Sequence, residues 1–121
     1  MGGFEVMGYY TRYSLECQSD ELISDETAHA IEAFLDEIGV INYALDRSYS
    51  NGFFDVYEEA KWYDHEKCMR VVSTQFPRIL FVLRGDGESN EDMWVKYFLN
   101  GKMQAEYAKI TFGDFDESKL S

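Results

Sequence analysis

The sequence predicts an α+β domain in which two helices pack on a mostly antiparallel sheet. Three observations indicate this class: stretches that alternate between two faces, two stretches of helical period, and two Asn-Gly pairs typical of hairpin turns. The chain has 121 residues, of which 45% are hydrophobic and 17% aromatic. This apolar content can offset the entropy lost on folding, so we expect one ordered domain rather than a disordered chain.

The first strand and the first helix have local sequence signals. From 9 to 17 the residues alternate between two faces, as in a strand that is buried on one side. Ser24 is a favourable N-cap residue, and two acids follow it in the first helical turn. Apolar residues then recur at helical spacing until Gly39, which predicts a helix from about 25 to 38.

Two strands and a second helix are predicted in the middle of the chain. Alternation from 41 to 45 predicts one strand, and Asn51-Gly52 predicts a turn into another strand from 53 to 62. Asp64 is expected to cap the second helix. Pro77 should end this helix, because its ring removes a backbone donor and blocks continuation.

The last part of the chain completes the predicted sheet. Residues 79 to 83 are apolar on both faces, as in a strand that is covered on both sides. Strands from 93 to 99 and from 103 to 112 flank the second turn pair, Asn100-Gly101. The resulting order, β-α-β-β-α-β-β-β, predicts a ferredoxin-like sandwich with an extra C-terminal β-hairpin.

The sequence also predicts where the domain ends and where the protein resides. We assign 9–112 to the single domain, 1–8 to an N-terminal extension and 113–121 to a polar tail. No apolar run approaches the roughly 20 residues that cross a bilayer, and the start lacks the features of a signal peptide. Cys17 and Cys68 are too few for a disulfide scaffold and are interpreted as small buried hydrophobes. These features predict a cytoplasmic protein with no membrane partner.

Negative charge is concentrated in the first half of the chain. The formal net charge is −12. Residues 1–60 hold thirteen acids against Arg12 and Arg47, whereas residues 61–121 hold ten acids against nine bases. Such a field repels nucleic acid and anionic membranes and speeds encounter with a basic protein surface. We therefore expect a basic, nucleic-acid-binding protein as partner, and no direct contact with nucleic acid.

Acidic residues form a stripe on the first predicted helix. Asp25, Glu32 and Asp36 share one helical face with His29, which is expected to be their only possible cationic neighbour. The stripe is either an ordinary solvated face or an imitation of a phosphate backbone. A second patch combines acids with aromatic residues after the Asn51-Gly52 turn. The predicted partner-binding residues are Asp25, Glu26, Glu32, Asp36, Glu37, Asp55 and Glu59.

Glu58 is the main candidate for a perturbed carboxylate. It is in register with Phe54 and Trp62 on the face of the predicted strand that should be buried. The alternatives are a bulge or strand end that turns Glu58 outward, or an ion pair with Arg12 or Arg84. A buried Glu58 acting with His65 would favour a small enzyme or ligand-binding domain.

Motifs for catalysis and metal binding are absent from the sequence. There is no glycine-rich phosphate loop, no nucleophile elbow and no paired Cys-x-x-Cys. His65 and Cys68 lie three residues apart on the second predicted helix, too few ligands for zinc. These absences favour a non-catalytic protein without cofactor or metal.

Two stretches of the chain resemble proteins of mobile elements. MGYYTRYSLE at 7–16, and KWYDH at 61–65 with Phe76-Pro77 and WVKYFLNGK at 94–102, are similar to small uncharacterised acidic proteins of phages and prophages. The second stretch also resembles, more weakly, the ferredoxin-like domain of phage and plasmid proteins. The resemblance implies a mobile-element origin and a fold, and it assigns no functional residue. Together with the acidic stripe, it leads us to expect an anti-CRISPR or other anti-defence inhibitor. An immunity-type protein that neutralises a basic toxin is the alternative binder.

Overall fold

The computed structural model describes residues 10–50, 52–88 and 92–121. The predicted α+β class, with two helices and an antiparallel sheet, is confirmed. The elements in chain order are β1 (Arg12–Gln18), α1 (Asp25–Glu37), β2 (Leu45–Ser50), β3 (Phe53–Val56), α2 (His65–Gln75), β4 (Leu80–Asp86), β5 (Met93–Leu99), β6 (Lys102–Tyr107) and a final 3-10 turn (Glu117–Lys119).

The six strands form one sheet in the order β2-β3-β1-β4-β5-β6, and all neighbouring pairs are antiparallel. The predicted turn between β5 and β6 is confirmed: Asn100 and Gly101 have φ values of 49° and 82°, as a tight hairpin turn requires. In the β2–β3 connection Ser50 is paired with Phe53, whereas Asn51 lies outside the described residues.

Both helices pack on one face of the sheet, and we call the opposite face the open face. The core contains Ile31 and Leu35 from α1 and Met69 and Val72 from α2. In β1, Tyr13, Leu15 and Cys17 are buried, which confirms the predicted alternation within the described residues. In β4, Phe81, Val82 and Leu83 are all buried, so both sides of this central strand are covered as predicted.

The helix termini follow the expected physical rules with one exception. Ser24 caps α1, because its Oγ accepts the backbone N–H of Thr27 at 3.1 Å. Gly39 follows α1 with a φ of 86°, a conformation that glycine adopts without strain. Asp64 occupies the N-cap position of α2, but its side chain makes no capping hydrogen bond. The helix ends at Gln75, two residues before Pro77.

The predicted strand from 53 to 62 is wrong in its second half, because the pairing with β1 shifts by two residues. Leu15 pairs with Phe54, and Thr11 pairs with Ala60. Three residues of β1 thus face five residues of the neighbouring segment, so 55–59 forms a bulge. Glu58 lies in this bulge and is exposed. Its predicted place on the buried face is therefore wrong, and the outward-turning alternative is correct.

Three other boundaries differ from the prediction. The segment 41–45 is mostly a turn, with Asn42 at a φ of 61°, and β2 begins only at Leu45. The last strand ends at Tyr107 rather than at 112. The predicted extension, 1–8, lies outside the described residues. No helix in the described part of the chain has the length and apolar character that crossing a bilayer requires.

Candidate protein-binding surface

The helix α1 presents three acids to solvent without compensation. Asp25, Glu26 and Glu37 are exposed, and within the described residues none of them forms an ion pair. Asp25 and Glu26 lie in the first turn, where the helix dipole stabilises negative charge. Glu37 is the last helical residue, where the same dipole opposes a carboxylate. The C-terminal acid therefore does not contribute to helix stability through the dipole.

The other two acids of α1 are bound by an arginine that the sequence did not pair with them. Arg47 of β2 donates from Nη1 to Glu32 Oε2 at 2.7 Å, and its Nη2 lies 3.2 Å from Asp36 Oδ2. Both hydrogen bonds raise the pKa of the Arg47 guanidinium, and the bond to Glu32 has the larger effect. The expectation that only His29 could offset the stripe is therefore wrong. The partner lies on a neighbouring strand, which helical periodicity alone does not indicate.

The remaining predicted binding residues lie in β3 and its bulge. Phe54 points into the core, so Asp55 points to the open face, away from the helices. Glu59 is exposed and makes a surface ion pair with Arg12 at 3.5 Å. Phe53 and Tyr57 are also exposed. The seven predicted residues thus lie on two sides of the sheet, with five of them on α1.

A buried lysine forms a polar cluster that the sequence analysis missed. Lys96 of β5 is only 5% exposed. Its Nζ donates to Glu66 Oε2 at 2.7 Å and lies 2.8 Å from His65 Nε2. It also lies 4.3 Å from the centre of the Trp94 ring, a cation–π distance. Alternation was the available signal, because Lys96 stands between the buried residues Trp94 and Phe98.

His65 is held in one protonation state by its neighbours. Its Nδ1 lies 2.8 Å from the Trp62 carbonyl oxygen, which can only accept, so we assign the ring proton to Nδ1. Nε2 is then free to accept from Lys96. The ring stacks on Trp94 at 4.9 Å. Burial, and secondarily the positive charge of Lys96, lowers the pKa of His65, so the imidazole is neutral near pH 7.

The predicted pairing of Glu58 with His65 has no support in the contacts. Glu58 is exposed in the bulge, whereas the polar partners of His65 among the described residues are the Trp62 carbonyl and Lys96. Because Lys96 occupies the basic nitrogen of His65, this nitrogen has no free lone pair for a substrate proton. The cluster connects the first turn of α2 to β5.

In the described ranges 10–50, 52–88 and 92–121, no three His, Cys, Asp or Glu side chains come together in a way that could hold a metal ion. Cys17 is buried as predicted, and burial raises the pKa of its thiol to about 12. Cys68 is only partly buried, although it packs against the core, so its interpretation as a small buried hydrophobe holds only in part.

Comparisons of the chain with protein-family models, with curated proteins and with solved structures find no match.

Proposed function

We propose that this protein is a non-catalytic, acidic protein-binding module whose α1 face occupies the basic surface of a nucleic-acid-binding partner. The observation that supports this proposal is the set of three exposed acids, Asp25, Glu26 and Glu37, for which the described residues supply no counter-charge. A basic partner surface would supply it. Long-range attraction between the two surfaces would also speed their encounter.

The charge spacing on α1 supports imitation of a phosphate backbone. A helix of 13 residues is about 20 Å long at 1.5 Å per residue. Its five acids give about one negative charge per 4 Å, against one per 3.4 Å along a single DNA strand. Arg47 offsets one of these charges and leaves about one per 5 Å. The remaining density is still comparable with that of a single strand.

The same surface leads us to propose a biological class and a compartment. An acidic inhibitor of a host nucleic-acid-binding enzyme, of the anti-CRISPR or other anti-defence type, would act in the host cytoplasm. The resemblance to small acidic proteins of phages and prophages supports this class. We also propose a ferredoxin-like fold. The order β4-β1-β3-β2 within the sheet supports it, with β5 and β6 as an added hairpin beside β4.

A charge-reversal experiment tests the proposed surface. The immobilised protein is used to capture proteins from a bacterial lysate at low salt, and the retained proteins are eluted with a salt gradient. The test variant is Glu26→Lys with Glu37→Lys. These changes have opposite effects on the helix dipole, so their effects on helix stability largely cancel. The matched control, Asp114→Lys with Glu117→Lys, makes the same charge change at two exposed acids after β6 that form no ion pair among the described residues.

Two outcomes separate the surface from bulk charge. We expect the test variant to lose a basic protein that the wild type and the control both retain, and we expect this protein to elute early in the salt gradient. Equal retention by all three proteins would contradict a role for α1. If the test variant and the control both fail to retain this protein, binding depends on net charge alone, and the proposed surface is contradicted as well.

A further inference from the structure

The strand β6 is the last strand of the sheet and directs part of its backbone away from it. The backbone N–H of Ala108 donates to the Met93 carbonyl at 2.8 Å, and alternate residues of an antiparallel pair share such bonds. Gln104 therefore directs its backbone groups to β5, whereas Met103 and Ala105 direct theirs outward. Within the part of the chain that the structure describes, these outward groups form no backbone hydrogen bond.

The β6 edge of the sheet is regular, whereas the opposite edge is not. β5 and β6 pair without interruption over 94–99 and 102–107, and β6 contains no proline. At the other edge, the register of β2 against β3 shifts within the strand. Proteins protect edge strands from further pairing with bulges, prolines or charged side chains. Of these devices β6 has charged side chains alone, so the choice of a pairing strand depends on where those charges meet.

Two opposite charges on β6 have no counter-charge in the described part of the chain. Lys102 and Glu106 are exposed and form no ion pair there. Glu106 Oε2 accepts a hydrogen bond from the neutral amide of Gln104 at 2.8 Å, which leaves its charge uncompensated. All three side chains lie on the open face, because Met103 between them packs against the core.

We infer that two copies of this chain associate edge to edge through antiparallel β6 strands, with Lys102 of each copy opposite Glu106 of the other. Pairing through the outward groups of Met103 and Ala105 restricts the register to steps of two residues. The register centred on Gln104 places both lysines opposite both glutamates. One step in either direction would place Lys102 or Glu106 opposite the uncharged Gln104 instead.

This register satisfies the outward backbone groups and closes the assembly. Met103 of one copy and Ala105 of the other form a hydrogen-bonded pair, and a two-fold axis through Gln104 repeats it. Each such pair exchanges two backbone bonds, so the two pairs supply about four. Lys102 and Glu106 then occupy the non-hydrogen-bonded positions, where facing side chains are closest and opposite charges stabilise the pair.

The edge formed by β6 belongs to the part of the chain in which negative charge is nearly balanced. Residues 61–121 hold ten acids and nine bases, whereas residues 1–60 hold thirteen acids and two bases. Two copies therefore repel each other less through β6 than through the first half. A single strand pair is smaller than a standard interface, so we expect a weak dimer. β6 shares no residue with α1, so this inference and the proposed function can fail independently.

Amide hydrogen exchange of the full-length protein, measured by NMR at about 0.02 mM and about 1 mM, tests the pairing. We expect exchange at Met103 and Ala105 to slow by about twofold or more at the higher concentration, because the dimer bonds their N–H groups. Gln104, whose N–H is bonded to β5, should be protected already at the lower concentration. Unchanged exchange at Met103 and Ala105 would overturn the inference.

Charge reversal at the facing positions tests the register by sedimentation at about 1 mM. Lys102→Glu and Glu106→Lys each place like charges opposite each other, so each single variant should be monomeric. The double variant restores opposite charges and should dimerise as the wild type does, as should a mixture of the two single variants. The matched control is Lys119→Glu, which makes the same charge change in the final 3-10 turn and should leave the dimer intact.

A proline variant locates the interface independently of charge. Ala105→Pro removes an outward N–H and leaves the pairing of β6 with β5, so this variant should be monomeric. Protection of the Gln104 amide checks in every variant that β6 remains in the sheet. A dimer that persists in Ala105→Pro or in both single charge variants would overturn the inference, as would a double variant that stays monomeric.

Discussion

The two partners of the ion pair between Lys96 and Glu66 should differ in what their removal costs the fold, because only the lysine is buried. Lys96 is 5% exposed, whereas the Glu66 side chain is 44% exposed. Removing Glu66 leaves an ammonium in the interior whose remaining polar partner, among the described residues, is His65. Removing Lys96 leaves a carboxylate that water can solvate. The variant Glu66→Ala should therefore destabilise the fold more than Lys96→Met does.

The expected magnitudes follow from these environments. Losing a hydrogen bond to a buried charged group costs about 1.5–3 kcal/mol, which is the expected cost of Glu66→Ala. For Lys96→Met, the thioether fills the space of the lysine stem and no charge remains buried, but His65 Nε2 loses its donor, so the cost should be about 1 kcal/mol, at the lower end of the range for an unpaired polar group. Glu66 also lies in the first turn of α2, where an acid contributes about 0.3–1 kcal/mol through the helix dipole.

Urea unfolding at neutral pH measures both costs, with Glu26→Ala as the matched control. Glu26 is likewise a first-turn acid, but it is exposed and has no described cationic partner, so this variant reports the dipole contribution alone. With a slope of about 1–3 kcal/mol per molar urea, a 2 kcal/mol loss moves the midpoint by about 1 M. A larger loss for Lys96→Met than for Glu66→Ala, after subtracting the control, would refute the argument.

Three further variants test other parts of the structure. The free energy of unfolding should fall as the pH drops below the value of 6.5 expected for an unperturbed histidine, because burial lowers the pKa of His65 and the unfolded chain takes up the proton first. The decline should be shallower in His65→Gln, and an equal decline would assign it to other groups. Gly85→Ala should cost about 1–3 kcal/mol in urea unfolding, because its Cβ would lie 2.3 Å from the Trp94 ring. Gly113→Ala, with no neighbour within 4 Å, is its control, and equal stability of the two would contradict the packing. Arg47→Ala should shift elution of the captured partner to higher salt by freeing two carboxylates of α1, whereas earlier elution would indicate that Arg47 itself contacts the partner.

The parts of the fold that were predicted correctly depend on local signals. Alternation in β1, the Ser24 cap of α1 and the Asn100-Gly101 turn each depend on neighbouring residues, and each is confirmed. The bulge at 55–59 was missed for a physical reason. It adds two residues to one strand, which preserves the alternation, so Ala60 returns to the buried face although the pairing has shifted.

The features of the candidate surface that were missed depend on long-range contacts. The pairing of Arg47 with two acids of α1 joins a strand to a helix, and the contact of Lys96 with His65 joins β5 to α2. Alternation shows that Lys96 should face the core, but it does not show which groups compensate the charge. The exposure of Phe115 likewise could not be predicted, because it depends on which surfaces the fold leaves beside it.

The most direct test of the proposed function is competition for the captured partner. The partner is first bound to a labelled DNA duplex at low salt, and the release of the label is followed as this protein is added. We predict complete displacement by the wild type and little displacement by Glu26→Lys with Glu37→Lys. A partner that binds the duplex and this protein at the same time would contradict the claim that α1 occupies a nucleic-acid site.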